Sequence, residues 1–153
     1  MNNSIKQKEI GNINITLKEN TSFIILKIKG NKHYFLLDTG ASNSVLDENA
    51  NLITDEIVVD SDELVTGFGD TKQVNIYELP CFIDDMMVFQ KFIVAPLGIT
   101  SYINESTGIK ISGVIGMDFI MRYKCIIDFY NLSIKLTIEK ELNRNKNGYN
   151  KEI

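Results

Sequence analysis

Apolar and polar residues alternate with a period of two along most of this chain, and that period commits it to strands. Ile13, Ile15 and Leu17 interleave with Asn12, Asn14 and Thr16, and Ile24, Leu26 and Ile28 interleave with Lys27 and Lys29 before a turn at Gly30-Asn31. Tyr34 to Leu37 is a continuous apolar run, suited to a strand buried on both faces. Residues 57–65 and 72–79 read as the arms of a hairpin around Thr66-Gly67-Phe68-Gly69-Asp70. Pro80 interrupts, Asp84-Asp85 turns, and Met86 to Val94 reads as the next strand. Pro96 to Lys110 reads as a loop, with Gly98, Asn104 and Gly108 as breakers, and Ile111 to Ile115 as a short buried strand. One short helix is expected, from Met117 to about Tyr123, with Asp118 in or before its first turn, where a carboxylate suits the helix dipole. Lys124 to Thr137 then makes two strands about Tyr130-Asn131, and the polar residues after Leu142 are expected to fray. Short strands at regular intervals predict a mostly β fold, closed or sandwich-like.

Composition narrows the function. At 153 residues the chain has the length of one domain, large enough for a core without staples. Its 16 basic and 20 acidic residues give a net charge of −4 with no basic stripe, which argues against a nucleic-acid partner. No apolar stretch approaches the roughly 20 residues that span a bilayer, so no membrane partner is expected. The first nine residues lack the apolar core of a signal peptide, which points to the cytoplasm, a removed leader being the alternative. Cys81 and Cys125 sit in apolar, strand-like settings and read as free buried thiols of a reducing compartment, a structural disulfide between them being the alternative. Two cysteines and the lone His33 match no metal motif, and His33, following Gly30-Asn31-Lys32, is expected at a hairpin turn.

Asp38-Thr39-Gly40-Ala41-Ser42 follows directly on the run Tyr34-Phe35-Leu36-Leu37. A carboxylate is thereby placed at the end of a buried strand, on a turn that glycine allows to be tight, with small residues after it. A general acid/base needs that setting: a rigid support, room for substrate, and backbone N–H groups close to its oxygens. An ordinary turn, with Asp38 bonding its own backbone, would use the same residues. Far away in sequence, Ser112-Gly113-Val114-Ile115-Gly116-Met117-Asp118-Phe119 ends a buried strand on a glycine just before the helix. Alone it reads equally as a strand–glycine–helix junction without chemistry.

In combination and order, these motifs resemble the retropepsin-like aspartic proteases, the family of the retroviral proteases and their bacterial and eukaryotic relatives. Two strands, Asp-Thr-Gly-Ala-Ser, a glycine-containing hairpin tip, a hydrophobic pair with glycine, a short helix and the strand Ile127-Asp128-Phe129 follow one another from about Gly11 to Ile138. The resemblance implies a β-barrel of the acid-protease type with one short helix and one lobe per chain. It divides the chain into an N-terminal extension over residues 1–10, a protease domain over 11–140 and a polar tail over 141–153. It implies an aspartic endopeptidase in which Asp38 is catalytic, Thr39 ties two half-sites together, and Gly40, Ala41 and Ser42 support the loop. Gly67, Phe68 and Gly69 resemble the tip of the flap that closes over bound peptide, and Val114, Ile115 and Gly116 the segment behind the catalytic loop, with Val114 as a pocket wall. Retroviral members often carry an acidic residue where Ser42 stands and an arginine where Met117 stands, so an ion pair that buttresses their dimer is missing here. With one Asp-Thr-Gly per chain, the implied enzyme is a homodimer acting on a peptide or protein, with no cofactor and no metal. The alternative is a catalytically silent peptide-binding dimer on the same fold.

Overall fold

The computed structural model describes residues 4–65, 71–144 and 150–152, with side chains over residues 7–63 and 71–139. The hairpin tip Gly67-Phe68-Gly69 lies outside the described residues. The chain is mostly strand, arranged in two sheets. The larger contains β2 (Thr16–Lys18), β3 (Thr21–Ile28), β4 (Asn31–Leu37), β5 (Val45–Asp47), β6 (Asp60–Val65), β7 (Thr71–Ile83), β8 (Met86–Ala95) and β9 (Ile111–Ile115). Their order is β2-β3-β4-β9-β5-β8-β7-β6, and a further pairing of β3 with β7, Lys27 opposite Phe82, curls the sheet into a ring-like form. The smaller sheet combines β1 (Ser4–Asn14), β10 (Ile126–Asp128), β11 (Ser133–Arg144) and β12 (Asn150–Glu152). Its main ladder runs antiparallel from Ser4 opposite Asn143 to Asn14 opposite Ser133, so it takes in residues 4–10 and 141–143.

The period-two pattern produces the core as expected. Ile24, Leu26 and Ile28 are fully buried on one side of β3 while Lys27 between them is exposed. Phe35 and Leu37 of β4 join them, with Ile115 of β9, Leu79 and Cys81 of β7, Val88 and Phe92 of β8, and Ile134 and Leu136 of β11. Phe35 and Phe92 stack with ring centroids 5.7 Å apart at the centre, each such side chain contributing about 1.5–3 kcal/mol through burial. The opposite face of β4 carries Tyr34 and Leu36, which pack with Phe23, Ile103 and Ile111 in a second, smaller cluster. Both faces of β4 are thus covered, as its continuous apolar run requires.

Four local expectations are corrected. Pro96–Lys110 is not a loop: it contains helix α1 (Ile99–Thr107), so the described residues hold two α-helices, the second being α2 (Met117–Arg122). Gly98 and Gly108 are the ends of α1 rather than breakers within a loop, and Gly108 takes φ +75°, returning its N–H to Asn104 O at 2.8 Å. Burial of Ile103 on the second cluster supplies what the helix lacks in propensity. Pro80 does not interrupt β7, where it stands opposite Phe89. At that point β7 has left β6, whose pairing ends at Ile76, and has not yet met β3, so a residue without an N–H is accommodated on the open side. The turn joining β3 to β4 is Lys29-Gly30, with φ +51° and +85°, one residue earlier than read from the sequence. His33 lies within β4 opposite Leu26, and its Nδ1 is 2.8 Å from Ser112 Oγ.

Candidate active site

Asp38 is the first residue beyond β4, whose strand neighbour β9 runs parallel to it with Leu37 beside Ile115. The Asp38 N–H donates to Ile115 O at 3.0 Å, so the pairing continues one residue past the strand and holds the aspartate to β9. The chain then turns: Ala41 N–H donates to Asp38 O at 3.1 Å, and Gly40 N–H donates to the carboxylate Oδ1 at 2.9 Å. A Cβ on Gly40 would stand 3.2 Å from that same oxygen, closer than side chains ordinarily approach. Asp38 is half-buried, Thr39, Gly40 and Ser42 are exposed, and Ala41 is half-buried. Among the described residues, Asp38 Oδ2 accepts no hydrogen bond.

β9 supports this loop from behind. Val114 is buried and stands beside both Leu36 of β4 and Val45 of β5, and Ile115 is fully buried in the main core. Gly116 follows, where the loop passes so closely that a Cβ would lie 2.6 Å from Ala41 O and 3.0 Å from Asn43 O. The next residue completes the junction, Met117 N–H donating to Ala41 O at 2.8 Å. The two motifs that the sequence separates by more than seventy residues are therefore one hydrogen-bonded unit.

A further set of residues clamps the far end of the loop. Asp118, in the first turn of α2, accepts from Ser44 Oγ at 2.7 Å on Oδ1 and from Ser44 N at 3.0 Å on Oδ2. Gln90 of β8 donates to Oδ2 at 2.9 Å, and Gly116 N–H donates to Ser44 Oγ at 3.0 Å. Ser44 is 1% exposed and Gln90 2%. The sequence reading placed Asp118 by the helix dipole alone and missed Ser44 and Gln90. Gln90 carried a signal: it occupies the inward phase of β8, between buried Val88 and Phe92, where a polar residue needs a partner.

The cysteines offer no nucleophile. Both are free thiols, and burial pushes Cys81 up to about 12 and Cys125 up to about 11. His33 is pushed below its usual value by burial. Among the described residues no group of three or more His, Cys, Asp or Glu side chains could hold a metal ion, and no helix is long and apolar enough to cross a membrane.

No protein-family profile matches the chain, and no curated protein does so either. Solved structures do. The crystal structure of a retropepsin-like aspartic protease from Rickettsia conorii superposes with a TM-score of 0.53, covering 87% of this chain and 95% of that one at 20% identity. The fold is retropepsin-like. A foamy viral protease-reverse transcriptase in complex with an RNA/DNA hybrid also matches, with a TM-score of 0.47 and 18% identity over 66% of this chain and 12% of that one. At such identities the likeness to the Rickettsia protein establishes architecture, and the chemistry of the retropepsin-like fold in this chain rests on its own residues.

Proposed function

We propose that this chain is one half of a homodimeric aspartic endopeptidase, with Asp38 as its catalytic carboxylate. The observation that carries the reading is the Asp38 loop itself. A half-buried carboxylate stands at the end of a core strand, braced by β9, with one oxygen held by Gly40 N–H and the other open to a reacting group. Peptide hydrolysis by carboxylates needs one group to take a proton from water while another gives a proton to the scissile carbonyl. Two carboxyl groups about 3 Å apart cannot both ionise, so they hold one proton between them and titrate as a pair, for which aspartic proteases are the standard instance. A chain with one such loop reaches this arrangement by pairing with a second copy across a two-fold axis.

The exposed Thr39 hydroxyl is then free to hold the partner loop in register. Water attacks the carbonyl, and the shared proton moves to the carbonyl oxygen and later to the leaving amine. The antiparallel arms β6 and β7 support the reading of their connecting tip, with Gly67, Phe68 and Gly69, as the flap, and buried Val114 beside Leu36 supports an apolar wall near the scissile bond.

Asp38→Asn tests the proposal. It keeps shape and hydrogen-bonding capacity but removes the titratable group, so cleavage of peptides at apolar junctions should fall by at least about 10³-fold while dimerisation persists. Wild-type activity in the variant refutes the role of Asp38. Peptide binding by both proteins with cleavage by neither makes the chain a binding module.

A further inference from the structure

Ile111 and Ile115 are the two ends of β9, four residues apart, yet they face opposite ways. Ile111 packs with Phe23 and Ile103 on the face of the sheet that carries Tyr34 and Leu36, and Ile115 is fully buried in the main core. A regular strand forbids this, since its residues i and i+4 share a face. The cause is a bulge. Tyr34 stands beside Ile111 and Phe35 beside Gly113, so Ser112 is an extra residue with no ladder partner in β4.

Everything after the bulge depends on it. With Leu37 beside Ile115, Asp38 N–H reaches Ile115 O, and Gly116 arrives under Ala41 and Asn43. Without the bulge, Ser112 would stand beside Phe35, each later residue of β9 would move by one position, and Val114 would turn into the core in place of Ile115. His33 fastens the extra residue. It lies in β4 opposite fully buried Leu26, with its Nδ1 2.8 Å from Ser112 Oγ. Its Nε2 is buried and has no hydrogen-bond partner among the described residues. A ring with one nitrogen unpaired carries a cost that an apolar side chain in the same place would avoid, so the bond to Ser112 is what the imidazole contributes there.

We propose that the His33–Ser112 bond locks the β9 bulge and thereby positions the Asp38 loop, which makes both side chains positioning residues of the peptidase. The catalytic consequence rests on the peptidase reading; the lock itself does not. His33 stands five residues before Asp38, and Ser112 four before Gly116, so their influence passes along β4 and β9 to the Asp38 N–H···Ile115 O bond. A misplacement of about 1 Å at a reacting group costs about 100-fold in rate. A bulge that is loosened rather than lost misplaces Asp38 for part of the time, and the expected loss is about tenfold.

The test compares Ser112→Ala and His33→Leu, which remove the bond from either side, with His33→Asn, which keeps a polar atom where Nδ1 stood. kcat is taken per active site, counted by titration with a peptide mimic carrying a hydroxyl in place of the scissile carbonyl, so that loss of folded protein does not register. Exchange of the Asp38 amide hydrogen is followed by NMR in the same proteins. Ser112→Ala and His33→Leu should each lower kcat about tenfold with KM within about twofold, and speed Asp38 exchange about tenfold, the factor for one neutral hydrogen bond. The double variant should be no worse than either single one, and His33→Asn should restore most of the loss. Should His33→Leu fail to fold, Ser112→Ala carries the comparison. A lowered urea midpoint with kcat or Asp38 exchange unchanged makes the pair structural only and overturns the proposal, as do additive losses or a failure of His33→Asn to restore activity. If the wild-type protein cleaves no peptide, the peptidase reading falls, and exchange alone judges the lock: faster in Ser112→Ala upholds it, unchanged overturns it.

Discussion

Replacing Asp118 by alanine should destabilise the protein by about 3 kcal/mol, and the figure follows from the donors it would strand. Three groups outside its own helix point at its carboxylate: Ser44 N–H, Ser44 O–H and one Gln90 amide hydrogen. Hydrogen bonds to a charged acceptor are worth about 1.5–3 kcal/mol each, so a simple sum would reach about 4.5–9 kcal/mol. That sum is too large, because Asp118 is only half-buried and water can reach part of the space it leaves. Asp118→Asn should cost less, about 1 kcal/mol, because its oxygen can still accept from Ser44 N and Gln90 Nε2 while its amide turns to Ser44 Oγ. Urea denaturation of both variants, with Ser44→Ala and the double variant Ser44→Ala/Asp118→Ala, gives the coupling directly. It should be at least about 1 kcal/mol, since the residues share two hydrogen bonds. Additive effects, or an Asp118→Ala cost under about 0.5 kcal/mol, would refute the view that this carboxylate clamps the loop.

Gly116→Ala should cost at least about 2 kcal/mol by the same measurement, because the new Cβ meets backbone oxygens of Ala41 and Asn43 that cannot swing aside; a neutral result would mean the loop is looser than its hydrogen bonds imply. Cys81 should resist iodoacetamide at pH 8 in the folded protein and react once urea unfolds it, because burial pushes its thiol up to about 12 and leaves almost no thiolate. Glu56 bonds and ion-pairs with Lys29, which lowers it from its ordinary 4.5 to about 2. A carboxyl lowered on folding contributes stability that is fully present above about 4.5 and is lost as pH falls towards about 2. Urea midpoints of wild type and Glu56→Gln should therefore differ by a constant amount above pH 4.5 and converge below it, and parallel profiles throughout would remove the pair from the stability of the loop at residues 52–56.

The strands were legible because burial on one face writes itself as alternation, and β3 shows it directly in Ile24, Leu26 and Ile28. Helix α1 was hidden for the opposite reason. It buries only Ile103 and Thr107, carries no side-chain cap, and sits between two glycines that on local grounds signal a loop. Tertiary contact with Phe23 and Ile111 decides its conformation, and Phe23 lies far away in sequence. Pro80 misled similarly: whether a strand tolerates proline depends on which neighbours it has at that residue, and pairing is not a local property. In the candidate site, Asp38 was legible from a short motif, and so was the approach of Gly116. The Ser44–Asp118–Gln90 clamp was not, since it joins a loop, a helix and a strand through side chains whose types are common on any surface.

The clamp also explains how a loop of small, exposed residues can hold a carboxylate in place within the single chain. Fixing a residue's backbone costs about 1–2 kcal/mol, so a loop left free in the single chain would have to be ordered at the expense of association. Here three points along it are already tied to β9 and α2: Asp38 N–H on Ile115 O, Ala41 O under Met117 N–H, and Ser44 on Asp118. Between these points Thr39, Ser42 and Asn43 remain exposed. In this chain the loop is braced by Ser44 and Asp118, two residues beyond Ser42 and one residue beyond Met117, and within the single chain. If two copies pair as proposed, a loop ordered this way would bring its aspartate to the two-fold axis already oriented, so that the binding energy of the second copy would be spent on aligning two carboxylates rather than on folding two loops.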